Sequence, residues 1–160
     1  MLISDYLNQS CIDVNLAQNN KKDIITRLAD LIFQTYPEIT PEEAIAGLNE
    51  RESVMSTGIG EGVAIPHARI NSCREIRIAI GLLKDGVDFN AIDNQPVRFV
   101  ILIFFPKKEV NLQLRTLAKV SRILKKKSLF DHLLNATSST EILECIKQYE
   151  KDHAFRNGGK

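Results

Sequence analysis

Val97-Arg-Phe-Val-Ile-Leu-Ile-Phe-Phe105 is apolar at every position except Arg98. A strand with one wet face alternates polar and apolar residues. An uninterrupted β-branched and aromatic run therefore predicts a central strand covered on both faces. Residues 76–83 form a second run of the same character. Asp85-Gly86 and Asp93-Asn94, after and between the two runs, are turn signals. Helical spacing lies to either side. Ile24, Ile25, Leu28, Leu31 and Ile32 predict a helix with one buried face over residues 21–36, stopped by Pro37. Thr40-Pro41-Glu42-Glu43 predicts a second helix running to about Glu52. Thr40 is its expected N-cap, Pro41 its first residue, and Glu43 the closing member of a capping box. Beyond the strands, Leu114, Leu117, Val120, Ile123 and Leu124 mark a helix over residues 112–124. Shorter helices follow over 129–134 and 139–149. Helices before, between and after strands imply an α/β fold, a three-layer α/β/α sandwich with a mixed central sheet.

One domain over residues 1–150 accounts for this pattern, and residues 151–160 are expected to form a flexible tail with nothing to bury. A chain of 160 residues, 44% hydrophobic, can bury a sizeable core without staples. With 21 basic against 20 acidic residues the overall field is close to neutral, which argues against a dedicated nucleic-acid binder. Cys11, Cys73 and Cys145 are far apart and form no CxxC pair, so neither a zinc ribbon nor a disulfide framework is expected. Reduced thiols in a cytoplasmic protein fit them best. The start, Met1-Leu-Ile-Ser-Asp-Tyr6, has neither the basic run nor the long apolar stretch of a signal peptide. The longest apolar run falls far below the ~20 residues that span a bilayer. No direct membrane insertion is expected.

Familiar enzyme signatures fail in turn. No GxxxxGK occurs, and Val63 stands where Gly58-Ile-Gly60-Glu-Gly62 would need its next glycine for a dinucleotide fingerprint. No GxSxG is present. His67, His132 and His153 lie in separate segments without an HxxxH pair, so no metal and no cofactor is expected. What remains is Ser56-Thr-Gly-Ile-Gly-Glu-Gly-Val-Ala-Ile-Pro-His67-Ala-Arg69. An apolar run delivers the chain to Pro66, whose ring stiffens the approach, and His67 follows where a side chain can face a cleft. A neutral imidazole is a competent nucleophile near neutral pH. Phosphorylating it requires donors for three phosphoryl oxygens, which glycine-turn amides, hydroxyls and an arginine can supply. Spacing alone leaves a packed or turn histidine as the alternative.

Arg51-Glu52, Ser56-Thr57-Gly58-Ile59-Gly60 and Val63-Ala-Ile-Pro-His67-Ala68 together resemble the signature of bacterial phosphotransferase-system enzyme IIA domains of the fructose/mannitol class. Ala91-Ile-Asp-Asn-Gln-Pro-Val97 and residues 113–124 resemble the same family, and the likeness extends over about residues 3–149. The regulatory, nitrogen-related branch looks nearest, because the chain stands alone. The resemblance implies a phosphocarrier with His67 phosphorylated, Arg51 beside the phosphoryl group, Glu61 orienting Arg51, and Thr57 as a hydroxyl donor. The implied donor is a histidine-containing phosphocarrier protein. The acceptor is a IIB domain or a regulatory protein target such as a kinase or transporter.

Gln113 departs from the family, which carries a second histidine there. A glutamine amide donates a hydrogen bond but adds no charge. That weighs on onward transfer more than on phosphate binding, and favours a regulatory module as the alternative function. For Arg51 the alternative is an exposed helix-end arginine, and for Glu61 and Thr57 ordinary turn residues. Lys107, Lys108, Lys119, Arg122, Lys125, Lys126 and Lys127 cluster around one helix, where a solvated C-terminal end suited to the macrodipole outweighs a nucleic-acid patch.

Overall fold

The computed structural model describes residues 1–157, with side-chain surroundings for residues 1–154. A 3-10 turn over Ile3–Tyr6 leads into β1 (Leu7–Asp13), then α1 (Lys21–Thr35) and α2 (Pro41–Val54). The short strands β2 (Gly58–Gly60), β3 (Val63–Ala64) and β4 (His67–Ile70) follow, then the long β5 (Arg77–Val87) and β6 (Val97–Pro106). Helices α3 (Val110–Leu124), α4 (Lys127–Leu134) and α5 (Ser139–Asn157) complete the chain. The sheet runs β1-β5-β6-β3-β2, with β4 also on β6. β5 is antiparallel to β6, whereas β3 and β4 run parallel to it.

β6 is the covered strand its composition requires. From Phe99 its side chains alternate between two cores. Val100, Leu102 and Phe104 pack with α1 and α2, while Phe99, Ile101, Ile103 and Phe105 pack with α3, α4 and α5. That is the expected three-layer sandwich with a mixed sheet. β3 and β4 are two parts of one edge along β6: Ala64 is opposite Val100 and His67 opposite Ile103, with Ile65-Pro66 between. The Pro66 carbonyl still accepts from the Ile103 amide at 2.9 Å, so the ladder is carried across the proline.

Three local expectations are corrected, and one strand, β1, is added. Asp85-Gly86 lies inside β5, not after it. The register shifts between Leu82 and Val87, and Gly86 takes φ 72°, as a bulge requires. Thr40 makes no side-chain cap bond. Glu43 instead accepts the amides of Asn71 and Ser72 beyond β4, so the capping box yields to a tie between α2 and the sheet edge. β1 went unread, because as an edge strand its burial does not alternate. Finally, α5 continues through Asn157 where a tail was expected from residue 151. Glu150 is 4% exposed, and His153 stacks on Tyr149 at 3.9 Å, so this last stretch has partners to bury against. Residues 158–160 lie outside the described residues. Among the described residues no helix is long and apolar enough to cross a membrane.

Candidate functional site

Pro66 interrupts the edge, and the chain re-enters the sheet at His67. The imidazole is buried, with 7% exposure. Its Nδ1 lies 2.8 Å from the carbonyl oxygen of Ile65. A carbonyl can only accept, so Nδ1 carries the proton and Nε2 keeps the free lone pair. Burial holds the imidazole below the usual histidine range. The Ile65 bond and the Glu52 carboxylate act the other way, and the Arg51 guanidinium adds to the lowering. The net effect is a neutral imidazole at neutral pH, with the proton on Nδ1 and the lone pair on Nε2.

His67 lines an open cleft of about 270 Å³ between α2, β4 and the start of α3. Arg51 enters from the last turn of α2, and its Nη1 donates to the Met55 carbonyl at 2.7 Å. Arg69, two residues along β4, donates from Nη1 to the Lys107 carbonyl at 3.0 Å. Both Arg69 and Lys107 line the cleft, as do Glu50 and Gln113. Three cations against one carboxylate make a binding place for an anion. The sequence reading missed Arg69 and Lys107 as site residues. It grouped Lys107 with the lysines of α3, although the pairing of Arg69 with Phe105 carries the end of β6 to the cleft.

His67, Arg51 and Gln113 thus come together. Thr57 and Glu61 do not line this cleft. Thr57 is 2% exposed and donates its hydroxyl to Glu52, so that proton is already committed. Glu61 sits at the tip of the β2–β3 turn with φ 56°, exposed, between Gly60 and Gly62 at φ 94° and 81°. Its amide is bound by Asp93 at 2.9 Å, and it makes no bond to Arg51, whose described partner is Met55. The glycine-rich stretch is corrected likewise. It is a hairpin with Gly58 opposite Ala64 and Gly60 opposite Val63, and none of its residues lines the cleft. The cysteines offer no rival nucleophile, since burial raises all three thiols and pushes Cys73 up to about 11. Among the described residues no three His, Cys, Asp or Glu side chains are grouped to hold a metal ion.

Residues 5–149 match the family described as phosphoenolpyruvate-dependent sugar phosphotransferase system, EIIA 2. The fructose-specific EIIABC component of Bacillus subtilis (strain 168) is 33% identical over 94% of this chain, which spans 24% of that relative's length. The crystal structure of nitrogen regulatory protein IIA-Ntr from Neisseria meningitidis superposes with a TM-score of 0.82 at 26% identity, covering 90% of this chain and 98% of that one. Enzyme IIAMTL in its complex with phosphorylated enzyme IIBMTL, from Escherichia coli, gives a TM-score of 0.76 at 20% identity over 89% and 97%, a likeness of fold.

Proposed function

The chain belongs to the EIIA 2 family of the phosphoenolpyruvate-dependent sugar phosphotransferase system, and on that premise we propose that Nε2 of His67 takes up the phosphoryl group and gives it back. The family makes it a phosphotransferase component. The observation that carries the assignment to His67 is the Ile65 carbonyl at 2.8 Å from Nδ1, in a cleft shared with Arg51, Arg69 and Lys107.

The step needs no general base. The Nε2 lone pair attacks the phosphorus of a phosphohistidine on a small carrier protein. As the new P–N bond forms, the donor's P–N bond breaks and its electron pair returns to the donor imidazole. His67 becomes a phosphorylated ring still protonated on Nδ1. The positive charge that develops there strengthens the bond to Ile65. Arg51, Arg69 and Lys107 offset the charge on the three equatorial oxygens, which is most of what a protein can contribute to a loose phosphoryl transfer. Onward transfer to a IIB thiolate reverses the geometry, breaking P–N and forming P–S.

The surround suits a protein partner. Val54, Met55, Val110 and Leu114 are 79%, 63%, 45% and 61% exposed, on the end of α2 and the start of α3 that border the cleft. An exposed apolar rim around a charged centre is the make-up of a docking surface. A IIB domain is one acceptor under this reading, supported by the complex that the mannitol neighbour forms with phosphorylated IIBMTL. Gln113 favours a second reading, in which a regulatory target senses whether His67 is phosphorylated. Its neutral amide lines the cleft and adds no charge to drive onward transfer.

Incubation with phosphoenolpyruvate, enzyme I and the carrier protein tests the assignment. One acid-labile, base-stable adduct should form and vanish in His67→Ala. Label retained on exposed His132, or on His153 stacked against Tyr149, sinks it.

A further inference from the structure

Arg51 and Glu52 are neighbours on α2 with separate duties. Arg51 lines the cleft, whereas Glu52 is absent from its lining and turns to Lys21 and Thr57. The Glu52 side chain is 11% exposed, and its Oε2 lies 2.5 Å from Nζ of Lys21 at the start of α1. The same oxygen accepts the Thr57 amide at 3.3 Å, and Oε1 accepts the Thr57 hydroxyl. The two carboxylate oxygens thus hold the amide and the hydroxyl of one residue, one each. Thr57 in turn accepts the Ile65 amide on its carbonyl at 2.9 Å, and Ile65 accepts Nδ1–H of His67 at 2.8 Å. An unbroken series of polar contacts therefore runs Lys21, Glu52, Thr57, Ile65, His67.

We propose that Glu52 is a positioning residue for phosphoryl transfer: by pinning Thr57 it fixes the Ile65 peptide that holds Nδ1–H of His67, and so selects Nε2 as the attacking atom. The proposal rests on His67 being the phosphorylated residue. Every link is a named contact, and the last two, Ile65 N–H to the Thr57 carbonyl and His67 Nδ1–H to the Ile65 carbonyl, are to backbone groups. The segment between α2 and β2 is held twice from adjoining residues, at the Met55 carbonyl by Arg51 and at Thr57 by Glu52. Lys21 pairs with the carboxylate from the start of α1, and its ammonium lies 5.5 Å from the centre of the Phe89 ring. The charge of Glu52 also reaches His67 and favours the imidazolium character that attack creates. The other charged groups lining the cleft with His67 are Arg51 and Glu50 from α2, Arg69 from β4 and Lys107 ahead of α3.

The test uses the full chain and two readouts. The ring-nitrogen chemical shifts of His67 in the unphosphorylated protein report the tautomer, and stopped-time phosphorylation by the carrier protein reports kcat and KM. Wild type should show Nδ1–H. Glu52→Ala should move the ring toward a mixture of tautomers and cut kcat by roughly tenfold or more, with KM for the carrier protein nearly unchanged. Glu52→Gln, which keeps one acceptor, should recover part of both. Thr57→Val, which removes only the hydroxyl link, should shift the ring in the same direction by less. Should Glu52→Ala fail to fold, Glu52→Gln and Thr57→Val decide the matter. Wild-type ring shifts and kcat in the folded variants overturn the role of Glu52. Phosphate located on another residue of the wild type overturns instead the reading of His67, a separate result.

Discussion

The carbonyl of Ile65 accepts Nδ1–H of His67 from two residues back on the same chain, across the Pro66 that breaks the edge of the sheet. The proline lacks an amide proton, so it cannot continue the ladder on its own nitrogen, and its ring fixes φ on the approach to His67. Its own carbonyl meanwhile stays bound to Ile103. The dipeptide Pro66-His67 is thus a device that ends one strand, starts another, and fixes a tautomer in passing.

A titration follows from that burial. His67 sits below the ordinary value of 6.5, chiefly through desolvation. In the window between its folded value and 6.5 the unfolded chain binds a proton that the folded chain does not. Stability must therefore fall as pH falls through that window. Uptake should be flat above it and drop once the ring protonates and Nε2 loses its lone pair. NMR titration of the ring checks both, and a midpoint at or above 6.5 contradicts the burial argument.

Arg51 offers a kinetic test. A guanidinium on phosphoryl oxygens contributes about 1.5–3 kcal/mol as a charge-assisted hydrogen bond. Arg51→Ala should slow uptake at least about tenfold with the fold intact. Arg51→Lys should recover only part, because one ammonium cannot hold the Met55 carbonyl and present a flat pair of donors at once. Wild-type uptake in Arg51→Ala removes it from the phosphoryl shell.

Stability away from the cleft turns on Glu150. Its buried carboxylate accepts the amides of Ile3 at 2.8 Å and Ser4 at 2.9 Å, and pairs with Lys119 at 3.2 Å. Glu150→Ala strands two amides and a cation, a loss of about 2–4 kcal/mol. For a domain of this size that lowers Tm by about 5–15 °C. Phosphoryl uptake at low temperature should be unaffected, since none of these groups lines the cleft. A melt unchanged from wild type would refute the clamp.

What the sequence disclosed followed its local chemistry. β6 and the amphipathic α1 and α3 were legible because burial on two faces, or on one helical stripe, is written in residue type. β1 was not, since an edge strand with a register shift leaves no alternation to read. Within the site, His67 and Arg51 were carried by a resemblance, and the structure joins them in one cleft. Arg69 and Lys107 were hidden because parallel pairing of β4 with β6, not sequence proximity, brings them together. Glu61 and the glycines misled for the opposite reason: nearness in sequence to His67 does not survive the β2–β3 hairpin, where the Glu61 amide goes to Asp93 and the Gly58 amide to the Ser56 hydroxyl. Helix α5 runs past its expected end, where Glu150 binds the Ile3 and Ser4 amides and His153 stacks on Tyr149, partners that lie outside the local helical pattern.

Gln113 provides the last prediction. It lines the cleft with His67, Arg51, Arg69 and Lys107, on the first turns of α3, with its backbone N–H donating to the Glu109 carbonyl. A neutral amide there leaves the phosphoryl group to the three cations. Gln113→His places a titratable ring in the same shell. Beside those cations the new imidazole should titrate below the ordinary histidine value, so its charge develops only on the acid side of neutrality. Once charged and within ~4 Å it should stabilise the phosphoryl dianion and the transition state by on the order of a few kcal/mol, less what solvent screens from an open cleft. The ratio of exchange rates with the carrier protein, variant over wild type, should then exceed unity and climb as pH falls from about 8 to 6. A parallel NMR titration of His67 in both forms separates its own protonation from the effect of residue 113. A ratio flat across that range, or near unity throughout, would mean that Gln113 borders the cleft without meeting the phosphoryl group. The regulatory reading drawn from its lack of charge would then lose its support.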